Sequence, residues 1–331
     1  MITLTCSSPA KPDGIGAQLQ RKAAVYEIAK ALNFGYADGP IRDFGFNPGD
    51  GVGTDTALKE IVLSNINARY SLPNLSANNT DSSLTISKLT GLSVLNLLAL
   101  NARKGHHLVN IPNPFPFFDR TLFSYKNVME SWSRSAPSSS KGNKLTFKVD
   151  LHIRRAVTPK KTTKTSSYIR HMPTSWYVRV CEIAVNTIAQ DSKVHFRIHT
   201  DGTKAGGSLD IREMPLDEGT RKLWSEQGFL DSSGYLEQHS EELGRQFQHL
   251  GSVEVLQELR PDVALNSMIE SDLLIGAKSS FSFIAGLARK NKPVVFSKFW
   301  HRNPSDWVTL TEDFRGPELS ELLLGYRLNA G

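Results

Sequence analysis

The segment "FKVDLHIRRAV", residues 147–157, begins with alternating, β-prone residues, and a histidine and two arginines follow them. In a strand, alternation places His152 and Arg154 on the same face. A guanidinium is permanently charged and can bind two phosphate oxygens at once. An arginine at a strand end can therefore neutralise a diphosphate, and if the diphosphate is a leaving group the arginine is catalytic. Arg155, taken alone, is predicted to pair with a surface carboxylate.

A second segment, "AKSSFSFIAGLA" (277–288), is typical of a strand end followed by the start of a helix. Ser279 and Ser280 are residue types favoured at the N-cap of a helix. The free N–H groups of a helix N-terminus also form an anion site. Plain capping explains the two serines equally well, and only the combination with Arg154 favours a ligand site.

Two further loops follow predicted strands but carry weaker signals. In "IHTDG", Asp201 precedes Gly202, which indicates either a simple turn or a carboxylate that accepts from a nucleobase or a sugar hydroxyl. The loop "PDGIGAQ" lacks both the GxGxxG spacing of a dinucleotide site and the GK[ST] of a phosphate-binding loop. The residues alone predict only a tight strand-to-helix turn there.

These loops need a scaffold, and strands alternate with helices along the whole chain. This pattern predicts an α/β fold with parallel, doubly wound sheets, in which ligands bind at the carboxyl ends of strands. A chain of 331 residues favours two domains. The segment "PSSSKGN" (137–143) is typical of a linker, so we predict domains over 1–140 and 141–331.

Composition and charge narrow the function classes. The net charge of +6 and the pI near 9.2 suit a phosphate-bearing ligand, an anionic membrane surface or a nucleic acid. No nucleic-acid-binding signature accompanies the charge, so no nucleic-acid partner is expected. No apolar run approaches the roughly 18 residues of a membrane span and no signal peptide is evident. Two cysteines far apart suit free thiols, so we expect a cytoplasmic protein, with a peripheral position at the membrane left open.

Metal-binding signals are weak. His195 and His199 lie four residues apart in a predicted strand, with Arg197 on the same face. A cation beside that arginine is disfavoured, so both histidines are interpreted as structural and no metal site or cofactor is expected.

Taken together and in this order, the motifs resemble those of the fucosyltransferase-like superfamily of GT-B glycosyltransferases, which includes bacterial α1,2- and α1,6-fucosyltransferases and protein O-fucosyltransferases. "DGIGAQLQRKAAVYEIAKAL" resembles their Gly-x-Gly-x-Gln segment and following helix, and "LHIRR" resembles the His-x-Arg-Arg motif that contacts the donor diphosphate. "IHTDG" and "SDLLIGAKSSFSFIAGLARKNKPVV" are similar to the later motifs that help to hold the nucleotide.

The resemblance implies two Rossmann-like domains that face each other across a cleft, and an inverting, metal-independent transfer of fucose from GDP-fucose to a glycan or lipid-linked glycan hydroxyl. Arg154 would stabilise the departing phosphate, and Asp13 is a candidate general base. The remaining donor contacts would be His152, Arg155, Asp201, Asp272, Ser279, Ser280, Phe281 and Ser282, and the cleft loop would contribute Gly14, Gly16 and Gln18.

Three alternatives stay open at this point. The donor could be a different nucleotide sugar. Many members of the superfamily continue with Gly-Asp after the arginines, whereas this chain has "AVTPKK", so it could also be a degenerate transferase that binds a glycan or nucleotide without turnover. A nucleic-acid binder is the third class, and it is supported by the basic pI alone.

Overall fold

The computed structural model describes most of the chain. The described residues are 1–7, 14–44, 52, 55–75, 81–121, 123–134, 146–154, 172, 174–189, 192–200, 240–257, 259–289, 291–298, 301–311 and 314–329.

The first half forms a four-stranded parallel sheet with helices between the strands. Its strand order is β2-β1-β4-β3, so the chain crosses over after β2 and returns to the centre of the sheet with β4. The elements are β1 (Ile2–Thr5), α1 (Ile15–Ala31), β2 (Gly35–Tyr36), α2 (Thr56–Arg69), β3 (Ser82–Thr85), α3 (Gly91–Asn101), β4 (His107–Asn110), α4 (Phe115–Phe118) and α5 (Lys126–Arg134).

The second half forms a six-stranded sheet in which every described strand pair is parallel. The order β10-β9-β8-β5-β6-β7 is the doubly wound arrangement, with the first strand of the half at the centre of the sheet. The elements are β5 (Thr146–Ile153), α6 (Thr174–Ile188), β6 (Lys193–Thr200), α7 (Ser240–Arg245), β7 (Ser252–Gln257), α8 (Pro261–Glu270), β8 (Leu273–Gly276), α9 (Ser280–Leu287), β9 (Val294–Ser297), β10 (Val308–Leu310) and α10 (Gly316–Asn329).

The predicted α/β architecture with two parallel, Rossmann-like sheets is therefore confirmed. The strands of the first sheet all precede residue 141 and those of the second all follow it. The exact boundary at 140/141 stays a prediction, because the linker segment lies outside the described residues.

Two apolar cores stabilise the fold, and one of them crosses between the halves. Val149, Leu151 and Ile153 of β5 point into a core shared with α6 and α10. The opposite face of the second sheet carries α8 and α9, whose buried residues join the core of the first half in one continuous cluster. Helix α1 lies within that cluster and is buried almost all round, which explains its alanine-rich sequence.

None of the helices in the described ranges combines the length and the apolarity that crossing a lipid bilayer requires.

Candidate functional site

The centre of the second sheet contains a topological switch point, where β5 pairs with β6 on one side and β8 on the other. From β5 the chain proceeds outward in one direction through β6 and β7, and then returns to β8. Helices leave the strand ends in opposite directions at such a point, which opens a crevice at their carboxyl ends. The motifs around Arg154 and Ser279 follow these two strands.

Register brings the two motifs together although more than a hundred residues separate them. Leu151 of β5 is the partner of Ile275 in β8. The ends of β5 at Ile153 and of β8 at Gly276 are therefore neighbours, and the segments with Arg154 and with Lys278 and Ser279 follow them. Neighbouring strands lie about 4.8 Å apart, so the arginine and the start of α9 share one edge of the sheet.

A ring contact shows independently that α9 begins over the end of β5. The His152 ring lies 5.7 Å from the Phe281 ring, centroid to centroid. His152 is buried, and it lies on the face of β5 opposite the apolar residues Leu151 and Ile153. Arg154 follows on the same face and is half-buried at the strand end. The prediction that His152 and Arg154 lie on the same face of the strand agrees with this geometry.

The N-terminus of α9 is capped by the first predicted serine. Ser279 Oγ accepts from the Phe281 N–H at 3.3 Å, and Ser282 Oγ donates to the carbonyls of Ala277 and Ser279 inside the first turn. The N–H groups of Ser280 and Ser282 donate to no residue in the described part of the chain. Ser282 is fully buried, so of the two only the N–H of the half-buried Ser280 is open to an anion at the positive end of the helix dipole.

The same helix end is the place where the two halves meet. Gly14 is the N-cap of α1, and its carbonyl accepts from the N–H groups of Ala17 and Gln18. Gln20 Oε1 accepts from the Ser280 hydroxyl at 2.7 Å. Gln18 donates through Nε2 to the Asp43 carbonyl, 2.8 Å away. Ser280 and Gln18 therefore serve the packing of α1, whatever else they contact.

Gly16 allows the closest approach between the halves. A β-carbon at this position would lie 2.5 Å from the Phe281 nitrogen and 2.7 Å from the Ser280 carbonyl carbon. Both are backbone atoms, so only a shift of α1 away from α9 could make room.

We therefore expect Gly16→Ala to lower the free energy of unfolding by about 1–3 kcal/mol, because overpacking forces backbone displacement. Urea denaturation measures the change. Gly325→Ala in α10 is the matched control, since nothing lies within 4 Å of its added β-carbon and alanine is the better helix former. A Gly16→Ala protein as stable as the control would contradict the close contact.

Behind the strand ends lies a buried polar network that the sequence reasoning missed. Asp150 of β5 is fully buried, and its carboxylate accepts from Arg197 Nε at 2.8 Å, His199 Nε2 at 2.7 Å and Ser267 Oγ at 2.9 Å. Residue alternation on β5 and β6 could have suggested it, because Asp150 and Arg197 are register partners. The structural interpretation of His199 agrees with these contacts.

This network also supports the site. His199 is the register partner of His152 on the neighbouring strand, so the two rings lie on the same face of the sheet. His199 is held by Asp150 through Nε2. A buried carboxylate therefore fixes the histidine that neighbours His152 on this face.

Lys278 is a second functional candidate that the sequence reasoning did not single out. It lies two residues after β8 and is 5% exposed. Because β8 is the neighbour of β5, Lys278 adds a cation at the same edge of the sheet as Arg154. Its signal in the sequence was only a lysine between a strand end and two serines, a pattern that is common on protein surfaces.

Two ionisable groups near the first sheet are poor candidates for catalysis. Burial raises the pKa of Cys6, just after β1, to about 12, so its thiol stays protonated at neutral pH and is a weak nucleophile. Burial also raises the pKa of Glu27 to about 7. Its carboxylate accepts from Asn127 Nδ2 and the Val128 N–H at the start of α5, so it serves as a cap.

The remaining predicted residues are not brought to this edge by the described structure. Asp272 precedes β8 and therefore lies at the opposite end of this strand from Ser279, and its Oδ2 accepts from the Lys148 N–H at 2.9 Å. Asp13, Arg155 and Asp201 lie outside the described residues. Within the described ranges, no group of three or more His, Cys, Asp or Glu side chains could hold a metal ion.

Comparisons with known proteins give similarity at the level of structure alone. No protein-family model matches the sequence, and a search of curated proteins gives no significant match. Among solved structures, E. coli heptosyltransferase WaaC with ADP is similar over 100% of this chain and 98% of its own, at 12% identity and a TM-score of 0.38. E. coli ADP-heptose lps heptosyltransferase II covers 100% and 99%, at 12% identity and a TM-score of 0.37.

POFUT1 in complex with GDP-fucose is similar over 95% of this chain and 98% of its own, at 9% identity and a TM-score of 0.37. The first two structures are named as heptosyltransferases, and the third is a complex with GDP-fucose. Because all three TM-scores are below 0.5, these similarities do not indicate the function of this chain.

Proposed function

We propose that the chain is an inverting, metal-independent glycosyltransferase that transfers fucose from GDP-fucose to a hydroxyl of a glycan or glycoconjugate. The observation that supports the proposal is that Arg154, Lys278 and the start of α9 follow two neighbouring strand ends at the switch point of a doubly wound sheet, where His152 contacts Phe281. Two cations and a helix N-terminus suit a diphosphate, which carries two or more negative charges.

The chemistry follows from where charge develops. When an acceptor hydroxyl attacks the anomeric carbon, the bond to the β-phosphate breaks and its oxygen gains negative charge. Donors that are already aimed at this oxygen stabilise the transition state more than the ground state. In our assignment Arg154 contacts that phosphate, His152 orients the strand end, and the Ser280 N–H binds a further oxygen.

The further assignments rest on the sequence resemblance. Asp13 would accept the proton of the acceptor hydroxyl, Arg155 would support the diphosphate, and Asp201 would contact the nucleoside. Phe281 would line the crevice beside His152. The choice of guanosine and of fucose has the same basis, and a different nucleotide sugar is the nearest alternative.

A thermal-shift panel of nucleotide sugars tests the proposal. At a hundred times its Kd, a donor stabilises the native state by about 2.7 kcal/mol, which raises Tm by several degrees. We expect GDP-fucose to give a larger shift than UDP- or ADP-linked sugars, and to release GDP when an acceptor is added. A shift without GDP release across an acceptor panel would favour the degenerate binding protein, and the absence of any shift would contradict the donor site.

A further inference from the structure

A pocket of about 350 Å³ lies at the carboxyl edge of the first sheet, away from the donor crevice. Its walls come from the segment after β3, which contains Lys88 and Thr90, and from α4 and its C-terminal end, which contain Phe117, Arg120 and Thr121. The volume is at the lower end of the range for small-molecule sites and suits one or two sugar rings.

Two cations dominate the charge of this pocket. Lys88 and Arg120 are exposed, and neither forms an ion pair with a residue in the described part of the chain. The nearest acidic residue in sequence, Asp119, is already paired through Oδ2 with His301 Nδ1 at 2.9 Å. The pocket therefore presents a positive potential to a ligand.

The neutral groups of the pocket are less available. Thr90 Oγ1 accepts from the Ser93 N–H, and the Thr121 hydroxyl donates to the Phe118 carbonyl. Phe117 is half-buried and supplies an apolar wall of the kind that packs on a sugar face. With both hydroxyls engaged locally, the cations are the groups best placed to select a ligand.

The helix that forms one wall of the pocket, α4, packs against the second half of the chain through aromatic rings. Helix α4 separates the pocket from the residues that follow β9, and the Phe115 ring lies 4.0 Å from the His301 ring. On the same side, Tyr125 lies between Phe118, 4.9 Å away, and Phe283 of α9, 5.3 Å away. One aromatic layer thus lies between the pocket and the helix that forms the donor site.

From these observations we infer that the pocket binds an acidic sugar of the acceptor, with its carboxylate or phosphate between Lys88 and Arg120. The inference rests on the proposed function, because it assigns the acceptor class of that transferase. A charge-assisted contact to each of two cations would favour an acidic sugar over its neutral counterpart by roughly tenfold or more in Kd.

Direct binding of simple sugars tests the inference without needing turnover. Glucuronic acid, glucose 6-phosphate and neutral glucose are titrated by saturation-transfer NMR against the full chain. We expect both acidic sugars, or one of them, to bind at least tenfold more tightly than glucose. The better of the two identifies whether a carboxylate or a phosphate is preferred. Acidic sugars that bind no better than glucose would overturn the inference.

Variants locate the binding. Lys88→Ala combined with Arg120→Ala should reduce acidic-sugar affinity to that of glucose, whereas Lys30→Ala combined with Arg103→Ala, two exposed cations elsewhere, should leave it unchanged. Arg154→Ala should also leave it unchanged, which excludes binding of the phosphate at the donor site. Undiminished affinity in the Lys88/Arg120 variant would overturn the assignment.

The same samples keep the two proposals separate. If nucleotide sugars shift Tm but acidic sugars do not bind, the pocket inference fails and the donor site stands. If acidic sugars bind at the pocket but no nucleotide sugar shifts Tm, the pocket stands as an acidic-sugar site and the proposed function fails.

Discussion

Replacing Arg154 with alanine is expected to reduce turnover by about 10²–10³-fold, the loss that follows removal of one preorganised transition-state donor. The physical reason is that the guanidinium at the end of β5 would neutralise the phosphate oxygen that becomes charged as the sugar departs. Release of GDP from GDP-fucose, followed at saturating donor, measures the loss. Because the contact strengthens in the transition state, kcat should fall more than donor affinity.

Two further variants sharpen this test. Arg154→Lys keeps the positive charge but loses the planar fork, so we expect an intermediate loss. Arg103→Ala removes an exposed arginine far from the switch point and should leave turnover unchanged. Near-normal turnover by Arg154→Ala, in a protein that unfolds at the wild-type urea concentration, would refute the assignment of Arg154.

Replacing Asp150 with alanine should destabilise the protein by about 3–5 kcal/mol, the usual cost of leaving the partner of a buried ion pair uncompensated. Asp150 is fully buried and accepts from three side chains. Its removal leaves the Arg197 cation and the buried His199 ring without their carboxylate partner. Chemical denaturation measures the loss, and Asp150→Asn, which keeps an acceptor oxygen, should lose less than alanine.

Asp119→Ala is the matched control for this prediction. Asp119 also pairs with a histidine, His301, but its side chain is 28% exposed, and partly exposed pairs contribute about 1 kcal/mol or less. If the two alanine variants lost the same stability, the buried network would not have the importance that we assign to it.

The alternating sequence was sufficient to predict the fold and part of the site. The strand that ends at the Arg154 motif and the helix that begins at the Ser279 motif were both predicted, and they are β5 and α9. The meeting of the ends of β5 and β8 at one edge could be predicted as well, because parallel sheets bring carboxyl ends of strands together whatever their separation along the chain. The assignment of a donor site to this edge stays a prediction.

Other features were not accessible from sequence, for physical reasons. Helix α4 is one turn long and lies in a proline- and phenylalanine-rich segment, which is too short to show a helical periodicity. The role of Asp150 depends on partners from β6 and α8, which only tertiary structure assembles. The close contact at Gly16 depends on the packing of α1 against α9, which no local pattern encodes.

The apolar core that the two halves share makes the start of α9 rigid. Because α8 and α9 are embedded in the interior of the first half, the start of α9 is fixed by both halves before any ligand arrives. A diphosphate would therefore meet amide groups that are already oriented, and little of its binding energy would be spent on ordering them. Such a scaffold favours recognition by a rigid template over recognition by closure of two loosely connected lobes.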